Sequence, residues 1–303
     1  MKAVVAGATG FIGHTLLEFL IAQGYETVVL TRRPAANTGS RTLQVKWDGQ
    51  TTGEWVRQIG SADAVINLAG ENIAEGRWTP ARKKKIIESR LSTARTLVNA
   101  IAASGRKPGV FVNASAVGYY GNVPTGDVTE DHPAGKGFLA ETCVRWEAEA
   151  MKAAGSGVRV VLPRIGIVLG ENGGALAKMV PPFKHFLGGP LGSGRQWFPW
   201  IHVEDVAGSI LHAMEDVTVS GPFNASAPNP VSMKEFCTTL ARVLSRPCLA
   251  KVPAAVLKIL MGEMAEMILG GQKAIPEKIL LRGYAFRYPE LEPALRVILG
   301  ESE

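Results

Sequence analysis

Gly7-Ala8-Thr9-Gly10-Phe11-Ile12-Gly13 stands directly behind the apolar run Lys2-Ala3-Val4-Val5-Ala6 and directly ahead of Leu16, Leu17 and Leu20. A β-branched run of strand length, glycines spaced G-x-x-G-x-x-G and apolar positions at helical spacing predict one strand-turn-helix unit ending near Gln23-Gly24. Glycines at these places let the backbone turn tightly and approach a pyrophosphate, whose charge the first helical N–H groups and the helix dipole favour. A glycine triplet alone is a weak signal, but between an N-terminal strand and a helix it predicts dinucleotide binding. Gly7, Thr9, Gly10, Phe11, Ile12 and Gly13 are the residues expected to line the pyrophosphate.

Glu26 to Thr31 reads as a second parallel strand, closed by Arg32-Arg33-Pro34. A fold that selects NAD carries an acidic residue near this place for the ribose hydroxyls. Arginines there would instead hold a 2′-phosphate, so NADP(H) is the expected cofactor; the alternative is a pair of solvated loop arginines. Ala64 to Asn67 is another short apolar run, and the small residues Leu68-Ala69-Gly70 that follow would face the adenosine side. Thr79 and Pro80 predict the cap and first residue of a helix reaching Ala102. Its first turn carries Arg82-Lys83-Lys84-Lys85, which opposes the dipole. Without interleaved aromatics this run reads as a solvated face rather than a nucleic-acid surface.

Val110 to Ala114 predicts a strand that delivers Ser115-Ala116-Val117-Gly118-Tyr119-Tyr120-Gly121 at its carboxyl end, where open parallel sheets place their chemistry. Residues 138–154 read as a helix and 158–163 as a strand, and helical patterns return at 206–214, 232–245 and 254–269. This alternation predicts an α/β fold: a doubly wound parallel sheet, the Rossmann fold, with a smaller, discontinuous C-terminal lid domain. Residues 1–170 plus 200–226 would form the NADP-binding domain. Residues 171–199, rich in glycine and proline, plus 227–303 would form the substrate lid.

The 303 residues, 46% hydrophobic and 20% charged, suffice for a sizeable core. No run reaches the roughly 18 apolar residues of a membrane span, and the N-terminus reads as a strand rather than a signal core. A cytoplasmic location is expected, or an organelle if a transit peptide has been removed. Cys143, Cys237 and Cys248 show no C-x-x-C spacing and the five histidines no metal-binding spacing, so reduced, buried thiols and no metal are expected. The formal charge of +6 suits an anionic ligand and solubility equally. No nucleic acid, membrane or named protein partner is implied, and a homodimer is compatible with the sequence.

These residues resemble the extended short-chain dehydrogenase/reductase family, which includes nucleotide-sugar epimerases and dehydratases. Gly7 to Gly13 is similar to its glycine motif and Asn67 to Gly70 to its small-residue motif. Arg90 to Ala100 is similar to its N-V-x-G-T-x-x-L-L-x-A helix, with arginine for asparagine, and Ile201-His202-Val203-Glu204-Asp205-Val206-Ala207 to its I-H-V-D-D-V-A segment. Asn67 to Ile73, Phe198 to His202 and the tail Tyr288-Pro289-Glu290-Leu291-Glu292 resemble an atypical subgroup of epimerase-like NADP-dependent oxidoreductases, some of which carry the name cell-division inhibitor. The resemblance implies that Arg90 reaches the cofactor, or else makes a surface ion pair, and that Trp200 and His202 lie on the substrate side.

In the wider family a tyrosine four residues before a lysine moves the proton that accompanies hydride transfer. This chain has no Tyr-x-x-x-Lys. Aligned on Glu147, the tyrosine position holds Leu139 and the lysine position Cys143; the family's hydroxyl residue falls at Ala116, one step after Ser115. Ser115, Tyr119 and Tyr120 remain the catalytic candidates. The expected function is an NADP(H)-binding oxidoreductase or epimerase of unknown substrate. A non-catalytic NADP(H)-responsive regulatory module and a nucleotide-sugar epimerase with displaced catalytic groups are the alternatives.

Overall fold

A computed structural model describes residues 1–35, 41–171, 173–249 and 251–300; residues 172, 250 and 301–303 of the expected lid lie outside them. The chain opens with β1 (Lys2–Ala6), α1 (Phe11–Ala22), β2 (Glu26–Thr31), β3 (Thr42–Lys46), α2 (Val56–Ile59), β4 (Ala64–Asn67), α3 (Pro80–Ala103), β5 (Val110–Asn113) and β6 (Ser115–Ala116). A single 3₁₀ turn at Val117–Tyr120 leads to β7 (Val123–Val128), α4 (Phe138–Met151), β8 (Arg159–Ile165), β9 (Ile167–Gly170), β10 (Gly173–Gly174) and α5 (Leu176–Lys184). Then come β11 (Trp197–Phe198), β12 (Trp200–His202), α6 (Val203–Glu215), β13 (Gly221–Ala225), β14 (Val231–Ser232), α7 (Met233–Val243), α8 (Ala254–Met261), α9 (Ala265–Leu269), β15 (Gln272–Ala274), α10 (Glu277–Leu281) and α11 (Leu291–Leu299).

The main sheet runs β3-β2-β1-β4-β5-β8-β13, with β6 beside β8 and every pairing parallel. It is a doubly wound parallel sheet. Successive side chains of a strand point to opposite faces, so a sheet covered on both sides needs an unbroken apolar run. In β1, Ala3 and Val5 pack with Leu16, Leu20 and Ile210 on one face, while Val4 and Ala6 pack with Leu97, Ile101 and Phe111 on the other.

Thr79 caps α3 by accepting the Arg82 N–H, with Pro80 at its first position. Each cation of the first turn has a carboxylate: Arg82 and Lys85 pair with Glu71 at 2.7 and 3.2 Å, Lys84 with Glu88 at 3.7 Å, and Lys83 with Glu263. The run is therefore a neutralised seam rather than a wholly solvated face. The helix expected over 254–269 breaks at Gly262, whose φ of +62° ends α8. The glycine- and proline-rich stretch contains α5, and β3, β7 and α11 are elements the sequence pattern did not predict. Cys143 and Cys237 are free and buried, whereas Cys248 is half-exposed.

A separate core holds the smaller lobe together: Phe183, Phe198, Trp200, Phe236, Leu240 and Leu295. The IHVEDVA segment stitches this lobe to the sheet. Asp205, fully buried, accepts the Tyr284 hydroxyl at 3.0 Å and the backbone N–H groups of Arg287 and Tyr288 at 2.7 and 2.9 Å. One carboxylate thus fixes the path of the C-terminal tail.

Candidate functional site

The glycine turn is built for close backbone approach. Gly7 adopts φ +83°, and a Cβ on it would lie 2.7 Å from both Ala69 N and Leu68 C. A Cβ on Gly13 would lie 2.2 Å from the Gly7 carbonyl oxygen. These contacts require glycine at both places and press Leu68-Ala69-Gly70 against the turn. Helix α1 begins at an extended Gly10 with no side-chain cap and no acidic residue in its first turn. Its first N–H groups and dipole are thereby left for an external anion. Thr9 and Gly10 are exposed, Phe11 and Ile12 half-buried. A cavity of about 290 Å³ opens beside the turn, lined by Ala8, Thr9, His14, Leu17, Val29, Thr42 and Gln44. Arg32 and Arg33 project from the carboxyl end of β2, exposed and without an ion pair among the described residues.

Ser115, at the carboxyl end of the sheet, is buried, and its hydroxyl donates to Glu147 Oε1 at 2.6 Å. Arg164 Nε and Nη2 donate to the same carboxylate at 2.9 Å each, and Arg164 Nη1 donates to the Tyr120 hydroxyl at 2.9 Å. That hydroxyl in turn donates to Asn224 Oδ1 at 2.7 Å. Tyr120 is only 1% exposed, and burial pushes its phenol up to about 12 despite the neighbouring guanidinium. Both candidate hydroxyls are thus engaged inside the protein. Tyr119 differs: its ring lies under the Arg164 guanidinium, 3.5 Å from Cζ to centroid, it is half-buried, and its hydroxyl has no partner among the described residues.

Leu139 brings no proton donor into this region, and Cys143 brings only a buried thiol. Leu139 packs on Gly118 and joins Trp78, Phe138 and Met264 in an apolar cluster. The Cys143 thiol is pushed up to about 11 by burial and then by Glu147, so it stays neutral at physiological pH. Arg90 sits half-buried between Gly70 and Trp146, with no ion pair among the described residues.

Trp200 and His202, expected on the substrate side, both have buried side chains. Trp200 is fully buried and donates its indole N–H to the Asn229 carbonyl at 3.2 Å. His202 caps α6, its Nδ1 accepting the Glu204 N–H at 3.1 Å, and its ring stacks on Tyr288 at 4.0 Å between centroids. Burial holds its pKa below the usual imidazole range, against the pull of Glu204 and Asp205. Sequence reasoning missed Arg164 as the centre of the polar network; an arginine inside the apolar strand 159–165 was the available signal.

Residues 3–225 match the model of the NAD dependent epimerase/dehydratase family, and residues 252–298 match a domain of unknown function. The chain is 44% identical to "Epimerase family protein SDR39U1 homolog, chloroplastic" of Arabidopsis thaliana, covering 99% of this chain and 87% of that protein. It is 39% identical to the epimerase family protein YfhF of Bacillus subtilis, covering 99% of each. The crystal structure of the human epimerase family protein SDR39U1 with NADPH superposes with a TM-score of 0.91, at 38% identity over 100% of both chains. With the glycine turn, the parallel strand order and these relatives in agreement, the chain belongs to the NAD dependent epimerase/dehydratase family.

Proposed function

We propose that this chain binds NADP(H) along the carboxyl ends of β1, β2 and β4 and acts as an oxidoreductase of epimerase type on a small molecule. The observation that carries the reading is the uncapped start of α1 behind Gly7, Gly10 and Gly13, with Arg32 and Arg33 where an NAD-selecting carboxylate would stand. The NADPH held by the human relative supports the same cofactor. Gly7, Thr9, Gly10, Phe11, Ile12 and Gly13 would hold the pyrophosphate, Arg32 and Arg33 the 2′-phosphate, and Leu68, Ala69 and Gly70 the adenosine side. Bound there, the nicotinamide supplies a hydride donor or acceptor. Among the three candidate hydroxyls, Tyr119 is the one left to move a proton, because Ser115 and Tyr120 already serve Glu147 and Asn224.

The test is direct. Nicotinamide fluorescence is followed while the protein is titrated with NADPH and NADH, and then while it is incubated with a metabolite pool. Turnover that disappears in Tyr119→Phe supports the reading. A second reading, a non-catalytic module whose shape responds to NADP(H), is favoured by the apolar Leu139 and neutral Cys143. Cofactor binding without turnover in any pool would decide for it. A nucleotide-sugar epimerase requires turnover with a sugar nucleotide.

A further inference from the structure

The cation missing from α4 has a counterpart on α3. Cys143 stands at the lysine position, and Trp146 follows it by three residues on the same face of α4. The Arg90 guanidinium lies over the Trp146 ring, 5.1 Å from its centroid, which places it beside that position across the contact between the two helices. Its Nη1 donates to the carbonyl oxygens of Glu71 and Ile86, both at 3.1 Å, and so fixes the plane of the group. A Cβ on Gly70 would lie 3.4 Å from Arg90 Cζ, so the glycine lets the guanidinium come up against the end of the small-residue motif. Arg90 Nε and Nη2 have no acceptor among the described residues, and no carboxylate pairs with the charge. Burial draws its pKa below the usual guanidinium value, with Cys143 and Glu71 acting in the opposite direction. A half-buried guanidinium held in one plane, with two donor groups unused, is suited to an external oxygen ligand.

We propose that Arg90 takes the place of the absent lysine, its Nε and Nη2 donors binding oxygen atoms on the nicotinamide half of NADP(H). The inference rests on the cofactor reading above. It makes Arg90 a cofactor-positioning residue that acts from α3, and it accounts for a family motif in which arginine replaces asparagine. Arg32 and Arg33, at the end of β2, serve the other half of the molecule. The two halves are therefore separable by ligand.

The experiment compares NADPH with adenosine 2′,5′-bisphosphate, which carries the adenosine half alone, by calorimetry on the full chain. Arg90→Met is expected to weaken NADPH about tenfold or more, the scale of one or two charge-assisted hydrogen bonds, and to leave the bisphosphate within about twofold. Arg90→Lys, which keeps the charge but not the fork, is expected to lie between, and it decides the matter if the methionine variant does not fold. Equal weakening of both ligands, or of neither, overturns the proposal while leaving the cofactor reading intact. A wild-type chain that binds neither ligand overturns both.

Discussion

Arg164 grips Glu147 through two parallel hydrogen bonds of 2.9 Å, Nε to Oε1 and Nη2 to Oε2, with both side chains in the core. Burial alone would lower the Arg164 pKa, but Glu147 and then Tyr120 raise it above the ordinary guanidinium value. The carboxylate also accepts the Ser115 hydroxyl, so its removal strands a buried cation and a buried donor together. Glu147→Ala is therefore expected to cost about 3–5 kcal/mol of stability, the scale for breaking a buried ion pair. Urea denaturation at neutral pH measures this, and a midpoint equal to that of the wild type would contradict it.

The alternating fold was legible because its signals are local. Strand β2 lies where a β-branched run ends in Arg-Arg-Pro, and α3 starts where Thr79 and Pro80 place it. The Arg164 network was not legible, because its members come from positions 115, 120, 147, 164 and 224 and meet only when β8, α4 and β13 pack. No local spacing records such a meeting. The burial of Trp200 and His202 was not legible for a related reason: a motif shows that residues recur together, while burial on one face or the other depends on the lobe that packs against them. The cofactor turn lay between these cases. Its glycines were readable, but their close fit to Leu68 and Ala69 is a tertiary fact.

Phe11, the first residue of α1, is wedged against the β9-β10 hairpin. A Cβ on Gly173 would lie 2.8 Å from its Cγ and Cδ2, and one on Gly170 would lie 2.7 Å from its Cζ. Gly173→Ala should therefore destabilise the protein by about 1–3 kcal/mol through overpacking. In a Phe11→Ala background the same substitution should cost much less, because the ring that collides has gone. A double-mutant cycle read by thermal melting measures the coupling, and additive effects would show that the hairpin does not rest on Phe11.

Arg32 and Arg33 form no ion pair among the described residues, so their charge is available to a ligand phosphate. Each charge-assisted contact to a 2′-phosphate is worth roughly 1.5–3 kcal/mol. The double variant Arg32→Ala, Arg33→Ala should weaken NADPH by more than tenfold, on the order of one such contact or more, and change NADH little. Fluorescence titration with both cofactors checks this, and equal losses for the two would refute the assignment.

His202 offers a pH test whose sign follows from its cap. Only the neutral ring can accept the Glu204 N–H at Nδ1, and burial lowers its folded pKa below the unfolded value of about 6.5. A depressed folded pKa means that the unfolded chain binds the proton first. The contribution is therefore complete above about pH 6.5 and is lost as the pH falls below it toward the folded pKa. Glu204, Asp205 and Arg287 surround the ring electrostatically, but the first two pull against the shift and do not reverse it. In His202→Asn the amide oxygen can still cap α6 and carries no proton in this range. The variant should lose some stability at neutral pH, because Asn cannot stack on Tyr288 as the imidazole does, yet its stability should fall less between pH 7 and pH 5 than that of the wild type. Urea unfolding curves across that interval give the difference in slope directly; parallel curves for the two proteins would mean that His202 is not the titrating group.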